Sequence, residues 1–228
     1  MRDRRVLVTG SSKGIGRAVA LRAARDGWRV AVHYRADQSA AEDTLSALGE
    51  SAAGLYQADL ADPSAAATLV ARVLAEGPLH ALVNNAGEYV KLDFAGSSAA
   101  ETREAFERAW AVNFLSPALL VHAVCQAFVE QGEGRVVNVA SRVGHRGEAG
   151  AAPYPASKAA LITLTRALAV EHATFGVRHF AIAPGWVETS MAREGMETRL
   201  PEILRDIPLG RMATPEDCAG AVAFLLSE

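Results

Sequence analysis

Two short stretches of the chain carry residue types that could do chemistry. The first is Tyr154-Pro155-Ala156-Ser157-Lys158. A tyrosine and a lysine four residues apart share one face of a helix. An ammonium beside a phenol stabilises the phenolate and lowers the tyrosine pKa from its ordinary value near ~10. The result is a general acid or base usable near neutral pH. Taken alone, the pair reads more readily as a partly buried tyrosine near an exposed lysine, so the catalytic reading depends on its surroundings. The second stretch is Thr9-Gly10-Ser11-Ser12-Lys13-Gly14-Ile15-Gly16. Glycines there would let the backbone turn tightly and approach a pyrophosphate, which a helix N-terminus attracts. The spacing is G-x-x-x-G-x-G rather than the general G-x-G-x-x-G fingerprint. No Gly-Lys-Ser/Thr ends the motif, which excludes a Walker loop.

The elements that must position these stretches alternate. Short β-branched runs at 6–9, 29–34, 54–58, 80–83, 135–139 and 177–183 read as strands. Between them, 14–26, 39–48, a segment opened by Asp62-Pro63, 99–129, 154–175 and 215–226 read as helices, with a break expected near Asn113 and Thr214 as the last cap. The strands are apolar on both faces, as parallel strands covered by helices must be. The expectation is one α/β domain over residues 1–228, a doubly wound parallel sheet with helices on both faces. Two irregular stretches, 141–153 and 185–208, follow strands and so lie at the carboxyl edge, where such sheets bind ligands. The second holds Met191, Met196, Ile203 and Leu204 among charged residues, a mixture suited to closing over a partly apolar substrate.

Composition removes several classes. The chain has 228 residues, 50% apolar and 21% charged, with a net charge of −3, so an intrinsically disordered chain is excluded and nucleic acid is not an expected partner. Cys125 and Cys218 match no metal spacing, and no metal site is expected; two cysteines in helical patterns fit a reducing compartment, the cytoplasm. The N-terminus carries too short an apolar region for a secretion signal. No run of about 18 uncharged apolar residues occurs, so no membrane span is expected.

The glycine motif, Asn84-Asn85-Ala86-Gly87 after the fourth strand, Ser141 after the fifth, the Tyr154/Lys158 pair, and Pro184-Gly185 with Thr189 after the sixth occur in that order. The ordered set resembles the short-chain dehydrogenase/reductase family, with a Rossmann-type fold. The look is nearest to its 3-oxoacyl-[acyl-carrier-protein] reductase-like branch, including Arg211-Met212-Ala213-Thr214-Pro215-Glu216-Asp217. The resemblance implies interconversion of a carbonyl and a secondary alcohol of a small molecule by hydride transfer. Tyr154 would be the general acid or base. Lys158 would lower its pKa and bind the nicotinamide ribose, Ser141 would polarise the carbonyl, and Asn113 would hold a relay water. Gly10, Ser12, Lys13, Gly14, Ile15 and Gly16 would cradle the cofactor. Asp59 and Leu60 would meet its adenine, and Asn85 and Gly87 would line it through backbone and side chain. Pro184, Gly185, Val187 and Thr189 would flank the nicotinamide. The Tyr-x-x-x-Lys spacing points to C=O/CH–OH chemistry, since enoyl reductases of the superfamily space the pair more widely.

An NAD-selective site places an acidic residue after the second strand. Here that strand ends His33-Tyr34-Arg35, with no carboxylate until Asp37. Arg35 is placed to pair with a 2′-phosphate and Lys13 adds a second cation, so NADP(H) is expected over NAD(H). Family members continue into a seventh strand that edges the sheet and builds a subunit interface; the sequence ends at Glu228 without one. Either it is truncated or the sheet has six strands and an exposed edge. A homodimer or homotetramer is the family expectation, and the tetramer is the one the missing strand puts in doubt. An acyl-carrier partner is weakened because residues 130–133 and 173–176 offer no cation. Sugar, polyol, steroid-like and pteridine-type reductases remain alternatives, as does a non-catalytic NADP-binding regulator; the intact quartet Asn113, Ser141, Tyr154 and Lys158 argues against the last.

Overall fold

A computed structural model describes residues 4–190 and 200–227. Six strands, β1 (Arg5–Val8), β2 (Arg29–Tyr34), β3 (Ala52–Gln57), β4 (Ala81–Asn84), β5 (Gly134–Val139) and β6 (Val177–Ile182), form one parallel sheet in the order β3-β2-β1-β4-β5-β6. The order reverses between β1 and β4, and the crevice outside those strand ends is where such a sheet takes a ligand.

Both faces of the sheet are covered because successive side chains of a strand point to opposite sides. Val6 and Val8 face α1 (Gly14–Arg25) and the C-terminal helix Pro215–Leu226, packing with Val19, Ala23, Val222 and Leu226. Leu7, between them, faces the other layer, formed by α3 (Ser64–Ala75) and α5 (Ser116–Gln131) through Leu69, Val73, Leu120, Val124 and Phe128. Phe128 is fully buried, and cutting such a ring to alanine costs about 3–5 kcal/mol. Remaining long helices are α2 (Gln38–Leu48), α4 (Ala99–Trp110) and α7 (Pro153–His172); short turns form α6 (Val143–Arg146) and α8 (Leu200–Arg205), leaving Pro215–Leu226 as α9.

Local chemistry explains the helix starts. Ser98 and Glu101 form a reciprocal capping box at α4, and Thr214 and Asp217 form one at α9 with Pro215 in its first turn. Asp62 does not cap from the position expected. The helix begins at Ser64, and the Asp62 carboxylate accepts from the Ser64 backbone N–H at 2.9 Å and its hydroxyl at 2.8 Å. The helix α6 and the helix α8 fall inside stretches read as loops, being too short to show a period. Ile203 is buried with Met212, against Trp186, Leu204 and Ile207. Met191 and Met196 lie outside the described residues.

The break expected near Asn113 is a π-turn, Ala111–Leu115, that joins α4 and α5 into one helical run from Ala99 to Gln131. By length and composition alone this run could cross a membrane, which the sequence reading did not anticipate. Its apolar positions Leu120, Val121, Val124 and Phe128 belong to the core instead.

Candidate active site

The cofactor half is built by the loop between β1 and α1. Gly10 and Gly14 have φ of 63° and 56°, the left-handed region that favours glycine. A Cβ on Gly16 would overlap the Gly10 carbonyl and the Asn85 side chain. Lys13 is the exposed, extended N-cap of α1 and supplies no side-chain cap, and no acidic residue lies in the first turn. The helix therefore presents uncapped amides and a free cation, which fits a pyrophosphate. Ser12 is buried, Ile15 packs on the core, and Thr189 Cγ2 would lie 3.4 Å from a Cβ on Gly14. The loop after β6 thus meets the start of α1.

Three other residues hold this loop in place. His33 is buried at the end of β2; its Nδ1 accepts from the Gly10 N–H at 3.0 Å and its Nε2 lies 3.1 Å from the Ala58 carbonyl. The neutral ring can make both bonds only with the proton on Nε2. Burial holds the His33 pKa at about 4, against the opposing pull of the Ala58 carbonyl. Ser11 Oγ donates to the Val8 carbonyl at 2.8 Å and accepts from the His33 N–H at 3.1 Å. The Thr9 hydroxyl accepts from the backbone N–H groups of Asn85 and Ala86, both at 3.0 Å.

Asn85 Nδ2 donates to the Thr9 and Gly10 carbonyls at 2.9 and 3.1 Å, so its side chain ties β4 to the glycine loop. Leu60 is buried and exposed Asp59 stands beside it at the end of β3, where Asp59 Oδ1 accepts from the Ala61 N–H at 2.9 Å. Arg35 is exposed, just beyond β2. Asp37, the first carboxylate after that strand, caps α2 by accepting from the Ala40 N–H at 3.1 Å.

The catalytic half gathers at the ends of β4 and β5. Lys158 is buried, and its Nζ donates to the Val139 carbonyl at 2.9 Å and lies 5.8 Å from the centre of the Tyr154 ring. Ser141 acts on the Tyr154 phenol to lower its pKa, and the Tyr89 ring packs 5.0 Å from the Tyr154 ring at 59°. A Cβ on Gly87 would lie 3.0 Å from Asn113 Oδ1 and 3.3 Å from Lys158 Nζ, so a side chain there would crowd both groups. Asn113 is buried in the π-turn, its amide spent on the backbone of Glu88. A buried chain, Asn84 Nδ2 to Asn138 Oδ1 at 2.9 Å and Asn138 Nδ2 to Thr165 Oγ1 at 2.8 Å, ties β4 and β5 to α7 and so to Tyr154 and Lys158.

Electrostatics correct one expectation. Burial pushes the Tyr154 phenol up to about 12, and the Ser141 hydrogen bond offsets only part of that. Burial also pulls Lys158 down to about 8. For the phenol, desolvation by burial outweighs the groups that favour its ionised form. Both ends of the Asn113 amide are engaged by the Glu88 backbone.

Beyond these groups, Pro184 accepts the Arg142 N–H at 3.0 Å, Gly185 lies against the Arg142 side chain, and Val187 is buried in a single bridge with Ala213. Sequence reasoning missed His33, Glu88, Tyr89 and Asn138. Of these only His33 stood in a stretch already under scrutiny.

Residues 10–228 match a family model described as enoyl-(acyl carrier protein) reductase. Acetoacetyl-CoA reductase of Rhizobium meliloti (strain 1021) is 35% identical over 228 residues, covering 99% of this chain and 92% of that relative. The 3-oxoacyl-[acyl-carrier-protein] reductase FabG of Aggregatibacter actinomycetemcomitans is 37% identical over 227 residues, covering 98% and 91%. A variant of actinorhodin polyketide ketoreductase solved with NADPH superposes with a TM-score of 0.90 at 32% identity, over 99% of this chain and 90% of that one. With the sheet order, the ordered motifs and these matches in agreement, the chain is a member of the short-chain dehydrogenase/reductase family and an oxidoreductase.

Proposed function

We propose that this protein interconverts a carbonyl and a secondary alcohol using NADP(H), with Tyr154 as the group that gives or takes the proton. The observation that carries the reading is the convergence of Asn113 and Lys158 on the space beside Gly87, with Lys158 Nζ 5.8 Å from the centre of the Tyr154 ring. Bound NADP(H) would supply or remove the hydride. Gly10, Ser12, Gly14, Ile15 and Gly16 would cradle its pyrophosphate, and Lys13 and Arg35 would take its 2′-phosphate. Asp59 and Leu60 would stand at the adenine, Asn85 and Gly87 along the ribose side, and Pro184, Gly185, Val187 and Thr189 at the nicotinamide.

Ser141 holds the phenolic hydroxyl in line and polarises a substrate oxygen. Tyr154 gives its proton to that oxygen in reduction and takes it back in oxidation. Its phenol is held at about 12, so it stays protonated at neutral pH and needs a cation near it to ionise. Lys158 is that cation below about pH 8. A water in the π-turn at Asn113 would pass the proton on toward solvent.

The substrate proposed is a 3-oxoacyl compound, after the relatives named for acetoacetyl-CoA and 3-oxoacyl-[acyl-carrier-protein]. The family model's description names enoyl reduction, but the Tyr-x-x-x-Lys spacing favours C=O chemistry. We place the protein in the cytoplasm as one domain in a homo-oligomer without nucleic acid or membrane partners; its free cysteines Cys125 and Cys218 suit a reducing compartment. The test is loss of NADPH absorbance against 3-oxoacyl thioesters and simple ketones, with Tyr154→Phe as control. General acid catalysis is worth ~10²–10⁴-fold, so the variant loses nearly all turnover while binding NADPH normally. Retention of more than about a tenth of the parent rate rejects Tyr154 as the donor.

A further inference from the structure

Three charged residues around the ends of β2 and β4 form a chain that the catalytic argument leaves unused. Arg108, on α4, donates from Nε to Glu88 Oε1 at 2.7 Å. The other carboxylate oxygen, Glu88 Oε2, is buried and accepts no hydrogen bond. Facing it is Arg35, whose Nη1 lies 3.9 Å away. Glu88 is fixed at both ends of the residue: its N–H and carbonyl are held by Asn113, each at 2.9 Å, and its Oε1 by Arg108. Arg35 has a side chain 57% exposed and makes no hydrogen bond through it among the described residues. In this chain the carboxylate is therefore the fixed member and Arg35 the one free to change partner.

From this geometry we infer that Glu88 sets how strongly the protein distinguishes NADP(H) from NAD(H). The inference rests on the reading that Arg35 receives the 2′-phosphate. An ion pair at 3.9 Å without a hydrogen bond, its arginine exposed, holds Arg35 weakly. A phosphate offers directional, charge-assisted bonds that a guanidinium fits better, so Arg35 turns to it. The Glu88 carboxylate cannot withdraw, and it stays within a few ångströms of the arriving anion. It opposes the phosphate, while Arg108 opposes Glu88. The two neighbours of one binding cation thus act with opposite signs, and NAD(H), without the phosphate, is nearly blind to both.

The test is calorimetric binding of NADP⁺ and NAD⁺ to the parent, Glu88→Gln, Arg108→Gln and Arg35→Ala. Glutamine keeps the shape of Glu88 and the backbone groups that Asn113 holds. Glu88→Gln is expected to raise the NADP⁺ over NAD⁺ preference about three- to tenfold, and Arg108→Gln to lower it by a similar factor, both effects shrinking with added salt. An unchanged or reduced preference in Glu88→Gln overturns the inference. If Glu88→Gln does not fold, an unchanged or raised preference in Arg108→Gln overturns it instead. Arg35→Ala separates the two levels of the argument. If it leaves the preference unchanged, the assignment of Arg35 fails; if it collapses the preference while Glu88→Gln does nothing, only the role of Glu88 fails.

Discussion

The amide of Asn113 holds the backbone of Glu88 from both sides, Oδ1 accepting from its N–H and Nδ2 donating to its carbonyl, each at 2.9 Å. This pair of hydrogen bonds fixes the segment after β4 against the π-turn and places Gly87 beside Asn113 and Lys158. Asn113→Ala leaves two backbone groups without partners, at about 1–3 kcal/mol for each that stays dry. Expected are a lower melting temperature and a kcat reduced at least about tenfold. Gly87→Ala acts on the same contact from below, pushing Asn113 and Lys158 apart, and is expected to lower kcat comparably. Circular-dichroism melts and steady-state kinetics check both, and parent-like kcat in either variant rejects the arrangement.

The titration of Lys158 has a visible consequence. Its pKa is lowered to about 8 by burial, so the ammonium is charged below that pH and is lost above it, while the Tyr154 phenol at about 12 stays protonated throughout. The kcat/KM for carbonyl reduction, which reports groups of the free enzyme, is expected to be level up to about pH 8 and to fall beyond it. Lys158→Arg keeps a permanent cation and removes the falling limb from whatever activity survives. A parent profile that stays level to pH 10 contradicts the assignment.

Reversing the charge at Arg35 tests the cofactor itself. Arg35→Asp removes the phosphate partner and puts a carboxylate where ribose hydroxyls could use it. One charge-assisted hydrogen bond contributes on the order of 1.5–3 kcal/mol, enough for a preference above about tenfold. The ratio of kcat/KM for NADPH to that for NADH is expected to fall at least that far, and in the parent to erode with salt. A parent that prefers NADH, or an unmoved ratio, would make Arg35 a surface cation.

His33 links the glycine loop to acid stability. Its folded-state pKa of about 4 lies below the ordinary value of 6.5, so between those limits the unfolded chain binds the extra proton. Its contribution to stability is complete above pH 6.5 and is lost as pH falls toward 4. The slope is at most about 1.4 kcal/mol per pH unit for one group. His179, also held at about 4 by burial and by its neighbour His172, acts in the same window. Urea unfolding between pH 7 and 4.5 should show His33→Gln less stable at neutral pH but less sensitive to acid. Equal slopes for parent and variant would mean that His33 does not stay neutral in the fold.

Features legible in the sequence are those that local spacing encodes. The glycine loop sits between β1 and α1, the Tyr154/Lys158 pair starts α7, and the interruption at Asn113 is real, although it widens the helix without ending it. Contacts between distant strands were not legible. His33 meets Gly10 across 23 positions and Glu88 meets Asn113 across 25, and neither pair has a shared period or spacing. The sign of the Tyr154 shift was misjudged for a related reason. Spacing shows that a cation is near, but the balance turned on burial.

The Asn85 side chain gives the site a seam. On one side lie β1, β2 and β3 with the glycine loop, His33 and Arg35; on the other lie β4 and β5 with Lys158, Ser141 and the Asn84–Asn138–Thr165 chain. The β1–β4 ladder joins the two, and beyond its end a short set of hydrogen bonds, Asn85 to the Thr9 and Gly10 carbonyls and the Thr9 hydroxyl to the Asn85 and Ala86 amides, continues the alignment. Apart from Glu88, which reaches from the second side to Arg35 on the first, each side can then vary in sequence largely independently, one retuning which dinucleotide is held and the other which carbonyl is reached, provided the seam is kept. That separation makes the fold evolvable: a change of substrate need not be accompanied by a change of coenzyme, and the reverse holds as well.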